Sequence, residues 1–279
     1  MNIFKAVKIN NIKKRRKNLI NNVFSKKERE SKKFKLSKLF IYLNFIIVYF
    51  ILLKLYKKIN RMNSNIYIND KKITTQEIDY DSILKKHMRA TIDWPLPNEI
   101  KYKPMMKEEA IKAFSYLMKP ENIYFEFGSG GSTNLASYYK VKTYSVESNV
   151  NWHKQLKNAG VVAEYITIDL NSKNLGRPGP GTTIEDWKKY FQAYKSEYNA
   201  DIILIDGVFR VACAFDIFPK IRDDTIILVH DYNKTDEYLI MEKYYTRVKM
   251  FDCLAVFFKK PNIDSIPEYL YNKYSNIIN

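Results

Sequence analysis

Apolar and polar positions alternate in blocks along the second half of the chain. Ile111, Phe114, Leu117 and Met118 recur at helical spacing and stop before Pro120, which predicts a helix. A short apolar run, Asn122–Phe127, then predicts a strand, followed by a helix over Ser132–Tyr139 and a strand over Val141–Val146. The pattern continues with a helix through Trp152 and Leu156, a strand at Ala163–Ile168 and a helix around Trp187 that Thr182 and Glu185 would cap. Next come a strand at Asp201–Ile205, a helix over Arg210–Phe218 stopped at Pro219, a strand at Thr225–Val229 and a helix around Tyr238–Tyr245. Two strands, about Arg247–Phe251 and Leu254–Phe258, close the series. Short continuous apolar strands that alternate with helices imply an α/β fold with a mostly parallel sheet covered on both faces. The expected architecture is Rossmann-like and doubly wound, with about seven strands and an antiparallel edge from the closing pair.

The first half has a different pattern. Leu39–Leu53 carries no charge, and Lys54 can extend its stem so that the apolar run reaches Tyr56. About 18 helical residues span about 27 Å, the thickness of a thin internal membrane, so residues 39–56 predict one transmembrane helix. No small-residue cleavage site follows it, which argues against a signal peptide. Residues 1–38 form a basic arm too polar to fold alone, 57–104 a stem and lead-in, 105–260 the α/β domain, and 261–279 a tail.

Composition changes this picture in one respect. The net charge is +17, and residues 1–38 hold fourteen Lys and Arg against Glu28 and Glu30, a net of +12. The body of the protein is therefore not notably basic, and no nucleic-acid partner is expected. Lysine-rich flanks lie on both sides of the apolar helix with the excess N-terminal, which favours a cytoplasmic N-terminus and a C-terminal domain in a lumenal or extracytoplasmic compartment. Cys213 and Cys253 each lie in an apolar run and are expected to be buried thiols rather than a disulfide or a zinc site.

Candidate chemistry sits at the strand ends, where open α/β sheets bind their ligands. Strand 1 runs into Glu126-Phe-Gly-Ser-Gly-Gly-Ser132, in which Gly128, Gly130 and Gly131 leave bare backbone for a ligand; strand 2 ends on Glu147. Strand 4 ends on Asp206-Gly207 and strand 5 on His230-Asp231. A carboxylate such as Glu147 can accept two hydrogen bonds from a ribose diol. His230 has the chemistry of a general base, and Arg210 either binds an acidic acceptor or pairs with Asp206.

The segment Glu126–Ser132, with Glu147 after the next strand, resembles the first motifs of class I S-adenosylmethionine-dependent methyltransferases, over about residues 105–260. The resemblance implies S-adenosylmethionine as cofactor, held by Glu126, Gly128, Gly130, Gly131, Ser132 and Glu147. Ser132 departs from the last glycine of that motif. Leu204–Gly207 and Ile227–Tyr232 are similar to the corresponding segment of sugar O-methyltransferases that use a divalent cation, which implies catalytic roles for Asp206, His230 and Asp231 and a metal held by Asp206 and Asp231. Val208 departs from that pattern. A fainter similarity to membrane-anchored glucuronoxylan methyltransferases rests on Val229-His-Asp231. The implied function is membrane-anchored methylation of an oxygen on a glycan or small hydroxyl acceptor; the alternative is a tethered module that keeps the fold without the chemistry.

Overall fold

A computed structural model of the chain describes residues 78–173 and 176–278. The basic arm, the expected transmembrane helix at 39–56 and the first part of the stem lie outside the described residues. Among the described residues, no helix is long and apolar enough to cross a membrane.

Seven strands form one sheet: β1 (Ile123–Phe127), β2 (Lys142–Glu147), β3 (Glu164–Thr167), β4 (Ile202–Ile205), β5 (Ile226–Val229), β6 (Tyr245–Phe251) and β7 (Leu254–Lys259). Their spatial order is β3-β2-β1-β4-β5-β7-β6. The first five are parallel, and β7 runs antiparallel to both β5 and β6. The closing pair is thus the expected antiparallel edge.

The helices are α1 (Tyr80–His87), α2 (Glu108–Leu117), α3 (Gly131–Tyr138), α4 (Val150–Asn158), α5 (Ile184–Phe191), α6 (Arg210–Ile217) and α7 (Glu268–Tyr274). Side chains alternate across a strand, so each central strand serves two cores. Ile203, Ile205, Ile227 and Val229 pack on one face with Phe125, Phe127 and the α6 residues Val211–Ile217. Ile202, Leu204, Ile226 and Leu228 pack on the other with Phe114, Leu117 and Tyr124. All eight of these β4 and β5 residues are fully buried, which is why both strands read as unbroken apolar runs.

Three local expectations change. The domain is larger than 105–260, because the compact unit runs from Glu77 to Asn279. Leu84, Leu96 and Ile100 belong to the second core, while Tyr274 packs in the first. The cap of α5 is Thr183 with Asp186 rather than Thr182 with Glu185; Thr182 instead accepts from Trp187 Nε1 at 3.1 Å. The helix expected around Tyr238–Tyr245 is a 3-10 stretch over Asp236–Lys243. Cys213 and Cys253 are both buried and unpaired, as expected.

Register places the site. Phe127 is paired with Val146 and Ile205, and Ile205 with Val229, so these strands end at one level. The ladder runs one residue further, with Gly128 N donating to Val146 O, Asp206 N to Phe127 O and His230 N to Ile205 O. Gly128, Glu147, Asp206 and His230 therefore line one edge. The chain winds outward from β1 to β3 and returns at β4, so the β1/β4 boundary on that edge is the switch point where a crevice must open.

Candidate functional site

A cavity of about 790 Å³ opens at this boundary. Its walls include Gly128, Gly130, Gly131, Ser132, Glu147, Asp206, Arg210, His230 and Asp231, so the structure brings together nine of the ten residues singled out in the sequence. Glu126 is the exception.

Glu126 lies behind the glycine turn with no exposed surface. Its Oε2 accepts from Tyr124 Oη at 2.8 Å and Ser132 Oγ at 2.6 Å, and its Oε1 accepts from Ser145 Oγ at 2.7 Å and from Thr133 Oγ1. Four hydroxyls thus fill its lone pairs. Burial pushes its pKa up, while the hydroxyl donors oppose that shift. The expected ligand contact is corrected on this ground: Glu126 anchors the turn and the start of α3 from beneath. The same geometry explains Ser132, whose hydroxyl ties the helix start to Glu126 where a glycine would leave the carboxylate short of a donor.

Glu147 faces the cavity. Its Oε1 accepts from Asn149 N at 2.7 Å and its Oε2 from Ser129 N at 3.2 Å, which locks the end of β2 to the turn after β1. Burial raises its pKa to about 7, against the pull of backbone donors from Asn149, Ser148 and Ser129.

The glycines have separate reasons. Gly128 has φ +97°, a region that side chains rarely adopt, and a Cβ there would lie 2.9 Å from Gly207 Cα. At Gly131 a Cβ would lie 2.3 Å from the carbonyl carbon and oxygen of Lys103. Residues 101–106 form a strap across the start of α3, pinned by Tyr102 N donating to Asn134 Oδ1 at 2.9 Å and by the Tyr102 ring edge-on to Trp152 at 5.1 Å. Gly131→Ala should therefore displace the strap and speed tryptic cleavage after Lys101. An unchanged cleavage rate would show that the strap does not depend on that close approach.

At the opposite wall, His230 Nδ1 lies 2.7 Å from Asp206 Oδ1. A carboxylate only accepts, so in the neutral ring this bond puts the proton on Nδ1 and the lone pair on Nε2, which lies 3.6 Å from Asp231 Oδ1; the protonated ring is a cation beside both carboxylates. Asp231 adopts φ +57° and pairs with Lys234 at 2.7 Å. Burial alone would raise the Asp231 pKa, but Lys234, His230 and Arg210 together hold it below the usual carboxylate range.

Arg210 is committed to the protein. Its Nε donates to Gly207 O at 3.0 Å, Nη1 to His230 O at 2.7 Å and Nη2 to Asp206 Oδ1 at 3.3 Å. Of the two roles open to it in the sequence, pairing with Asp206 is the one observed. The guanidinium also reaches Asp231 Oδ2 at 3.6 Å and so fills the space between the two carboxylates expected to hold a metal. Asp206 and Asp231 in this arrangement do not fit a shared divalent ion. His230, Asp231 and Cys253 bring donor atoms within 4.8 Å of one another, a wider spread than the about 4 Å between donors on a zinc ion.

Sequence reading missed the strap, Asn149, Trp152, Tyr190 and Lys234, all of which line the cavity. Asn149 carried a usable signal as a helix cap directly after Glu147, and it accepts from Asn151 N and Trp152 N. Trp152 Nε1 donates to Ser129 O at 2.8 Å and so supports the glycine turn.

No family model and no curated protein matches the chain. Among solved structures, a methyltransferase-like protein from Silicibacter pomeroyi is 21% identical, with a TM-score of 0.54 over 63% of this chain and 98% of that one. A TehB-like SAM-dependent methyltransferase from Corynebacterium glutamicum is 13% identical, with a TM-score of 0.36 over 55% of this chain and 87% of that one. The MycE methyltransferase of mycinamycin biosynthesis, solved with Mg, SAH and mycinamycin VI, is 17% identical, with a TM-score of 0.32 over 52% of this chain and 43% of that one. With its sheet order and antiparallel edge, the domain has the class I methyltransferase fold.

Proposed function

We propose that the domain binds S-adenosylmethionine and transfers its methyl group to an oxygen acceptor. The observation that carries this reading is one cavity in which the glycine turn and Glu147 form one wall and the Asp206–His230 pair the other. When bound, the cofactor supplies an electrophilic methyl group on sulfur. Glu147 would accept the ribose hydroxyls, and the turn Gly128–Gly131 would leave room for the rest of the donor. His230 Nε2 would take the proton that a hydroxyl acceptor loses as its oxygen gains the methyl, with Asp206 holding the ring in the required tautomer. The cavity works chiefly by aligning donor and acceptor for an in-line displacement. The anchor at 39–56 would tether the domain to a membrane, with glycans or small hydroxyl compounds of the lumenal or extracytoplasmic side as acceptors. Protease protection in sealed membranes tests that topology; cleavage of the domain from the cytoplasmic side would overturn it.

The departures at Ser132 and Val208 favour the alternative of a tethered module without chemistry. Ser132 now has a role in the Glu126 network, which removes half of that case.

Titration of the 279-residue chain in mild detergent with S-adenosylhomocysteine is the primary test. A hydrogen bond to a charged group contributes about 1.5–3 kcal/mol, so the loss of even one of the two from the diol should make Glu147→Ala weaken binding at least roughly ten- to hundredfold. No heat with the unaltered chain would end the proposal.

A pH dependence follows from Glu147. Diol hydroxyls donate to the ionised carboxylate, so binding lowers a pKa that stands at about 7 in the free protein. Affinity should therefore rise from about pH 6 to about pH 8 and level off above that. Folding has the opposite dependence: the raised folded-state pKa contributes stability that is complete below the ordinary glutamate value of 4.5 and is lost as pH rises through about 7. Equal affinities on both sides of pH 7, measured by calorimetry, would remove Glu147 from the ligand contacts.

A further inference from the structure

Arg210 opens α6, a position where the helix dipole disfavours a cation. The residue before it, Phe209, sits in the left-handed region at φ +58° and offers no side-chain cap. Such a backbone is costly for a bulky side chain and persists where the surroundings demand it. Phe209 is itself fully buried against Tyr190 and Phe191, and the turn it makes brings Arg210 between the two strand ends. The guanidinium bridges Asp206 Oδ1 at 3.3 Å and Asp231 Oδ2 at 3.6 Å, takes the carbonyls of Gly207 and His230 through its other nitrogens, and is 12% exposed. Asp231 itself is held left-handed at φ +57° to face it.

We infer that Arg210 is a built-in cation that occupies the place a divalent metal would need between Asp206 and Asp231, so that the site assembles without metal. The carboxylate pair is the hard-oxygen set that magnesium or manganese prefers, and such an ion would have to approach those oxygens to about 2.1 Å. With the guanidinium between them there is neither space nor unbalanced charge for it. Arg210 acts as a positioning residue: through Asp206 it holds the group that orients His230, and through the His230 carbonyl it fixes the end of β5. Removal of the guanidinium takes away the cation that both carboxylates share, while Lys234 still pairs with Asp231 at 2.7 Å.

The inference rests on the same cavity as the methyl-transfer proposal, but its readout is metal uptake rather than turnover. The 279-residue chain is dialysed against chelator and titrated with Mn2+ alone, followed by electron paramagnetic resonance. The unaltered chain should take up no Mn2+ below about 1 mM. Arg210→Met should gain one bound Mn2+ with affinity roughly tenfold or more above that of the unaltered chain, and Asp206→Asn added to it should abolish the gain. Mn2+ bound by the unaltered chain and lost on Asp206→Asn or Asp231→Asn would overturn the inference, and that comparison decides even if Arg210→Met does not fold. A folded Arg210→Met that gains no Mn2+ would overturn it as well. Absence of S-adenosylhomocysteine binding by the unaltered chain, with the Mn2+ pattern as expected, would end the methyl-donor reading and leave this inference standing.

Discussion

Glu126→Leu is expected to lower the stability of the domain by about 3–5 kcal/mol, because it strands hydroxyls that have no water to turn to. Tyr124 and Ser132 are both buried and have Glu126 as their side-chain partner. Ser145 keeps a second partner in Ser129 Oγ at 2.5 Å, and Thr133 keeps the Gly130 amide at 2.7 Å. Two hydroxyls are therefore fully orphaned and two partly so, which at about 1–3 kcal/mol for each full loss gives the stated range. Relief from burying a carboxylate acts in the other direction, but a leucine satisfies none of the four donors. Glu126→Gln keeps one acceptor oxygen and should cost less than half as much. Urea unfolding midpoints of the three proteins, at unchanged slope, provide the measurement. A leucine variant as stable as the parent would mean that the hydroxyl network does not hold the turn. The same variant should bind S-adenosylhomocysteine poorly even where it remains folded, since the start of α3 loses its anchor.

The position of Glu126 shows how far sequence carries in this fold. Strand existence, order of elements and the level of the strand ends were readable, because β4 and β5 are apolar on both faces and each stops at a charged or glycine residue. The direction of Glu126 was readable in principle. It lies two residues after Tyr124, so it shares that residue's face and points under α3 rather than out of the sheet edge. Glu147, by contrast, ends its strand and meets the cavity. The commitment of Arg210 was not readable, since its partners at Gly207, His230 and Asp231 converge through the β4/β5 register and two left-handed residues. Local pattern also left the α5 cap undecided, because Thr182–Glu185 and Thr183–Asp186 both satisfy it; in the fold Thr183 is extended and accepts from Asp186 N, while the Thr182 hydroxyl accepts from Trp187 Nε1. The strap at 101–106 has no periodicity at all. Its one trace in the sequence is Gly131, which permits a close approach without saying what approaches.

His230→Ala should slow methyl transfer by about a hundredfold to ten-thousandfold while leaving S-adenosylhomocysteine affinity within about twofold. The separation follows from geometry. Glu147 and the glycine turn are held by Asn149, Ser129 and Glu126, none of which touches His230. His230 is fixed from the other side, through Asp206 at 2.7 Å and through its own carbonyl to Arg210. An alanine keeps that carbonyl and its backbone amide, so β5 and the Arg210 bridge survive, and what is lost is the Nε2 lone pair. Asp206→Asn should produce a smaller loss of the same kind, because an amide in place of the carboxylate no longer enforces the proton on Nδ1. Acceptors whose hydroxyl is already acidic need less help with proton removal and should suffer least from His230→Ala. A panel of hydroxyl acceptors of graded acidity, assayed by S-adenosylhomocysteine release, reads this directly. If the loss is uniform across the panel, or donor affinity falls in parallel with rate, His230 acts by holding the strand end and the base must be sought elsewhere in the cavity.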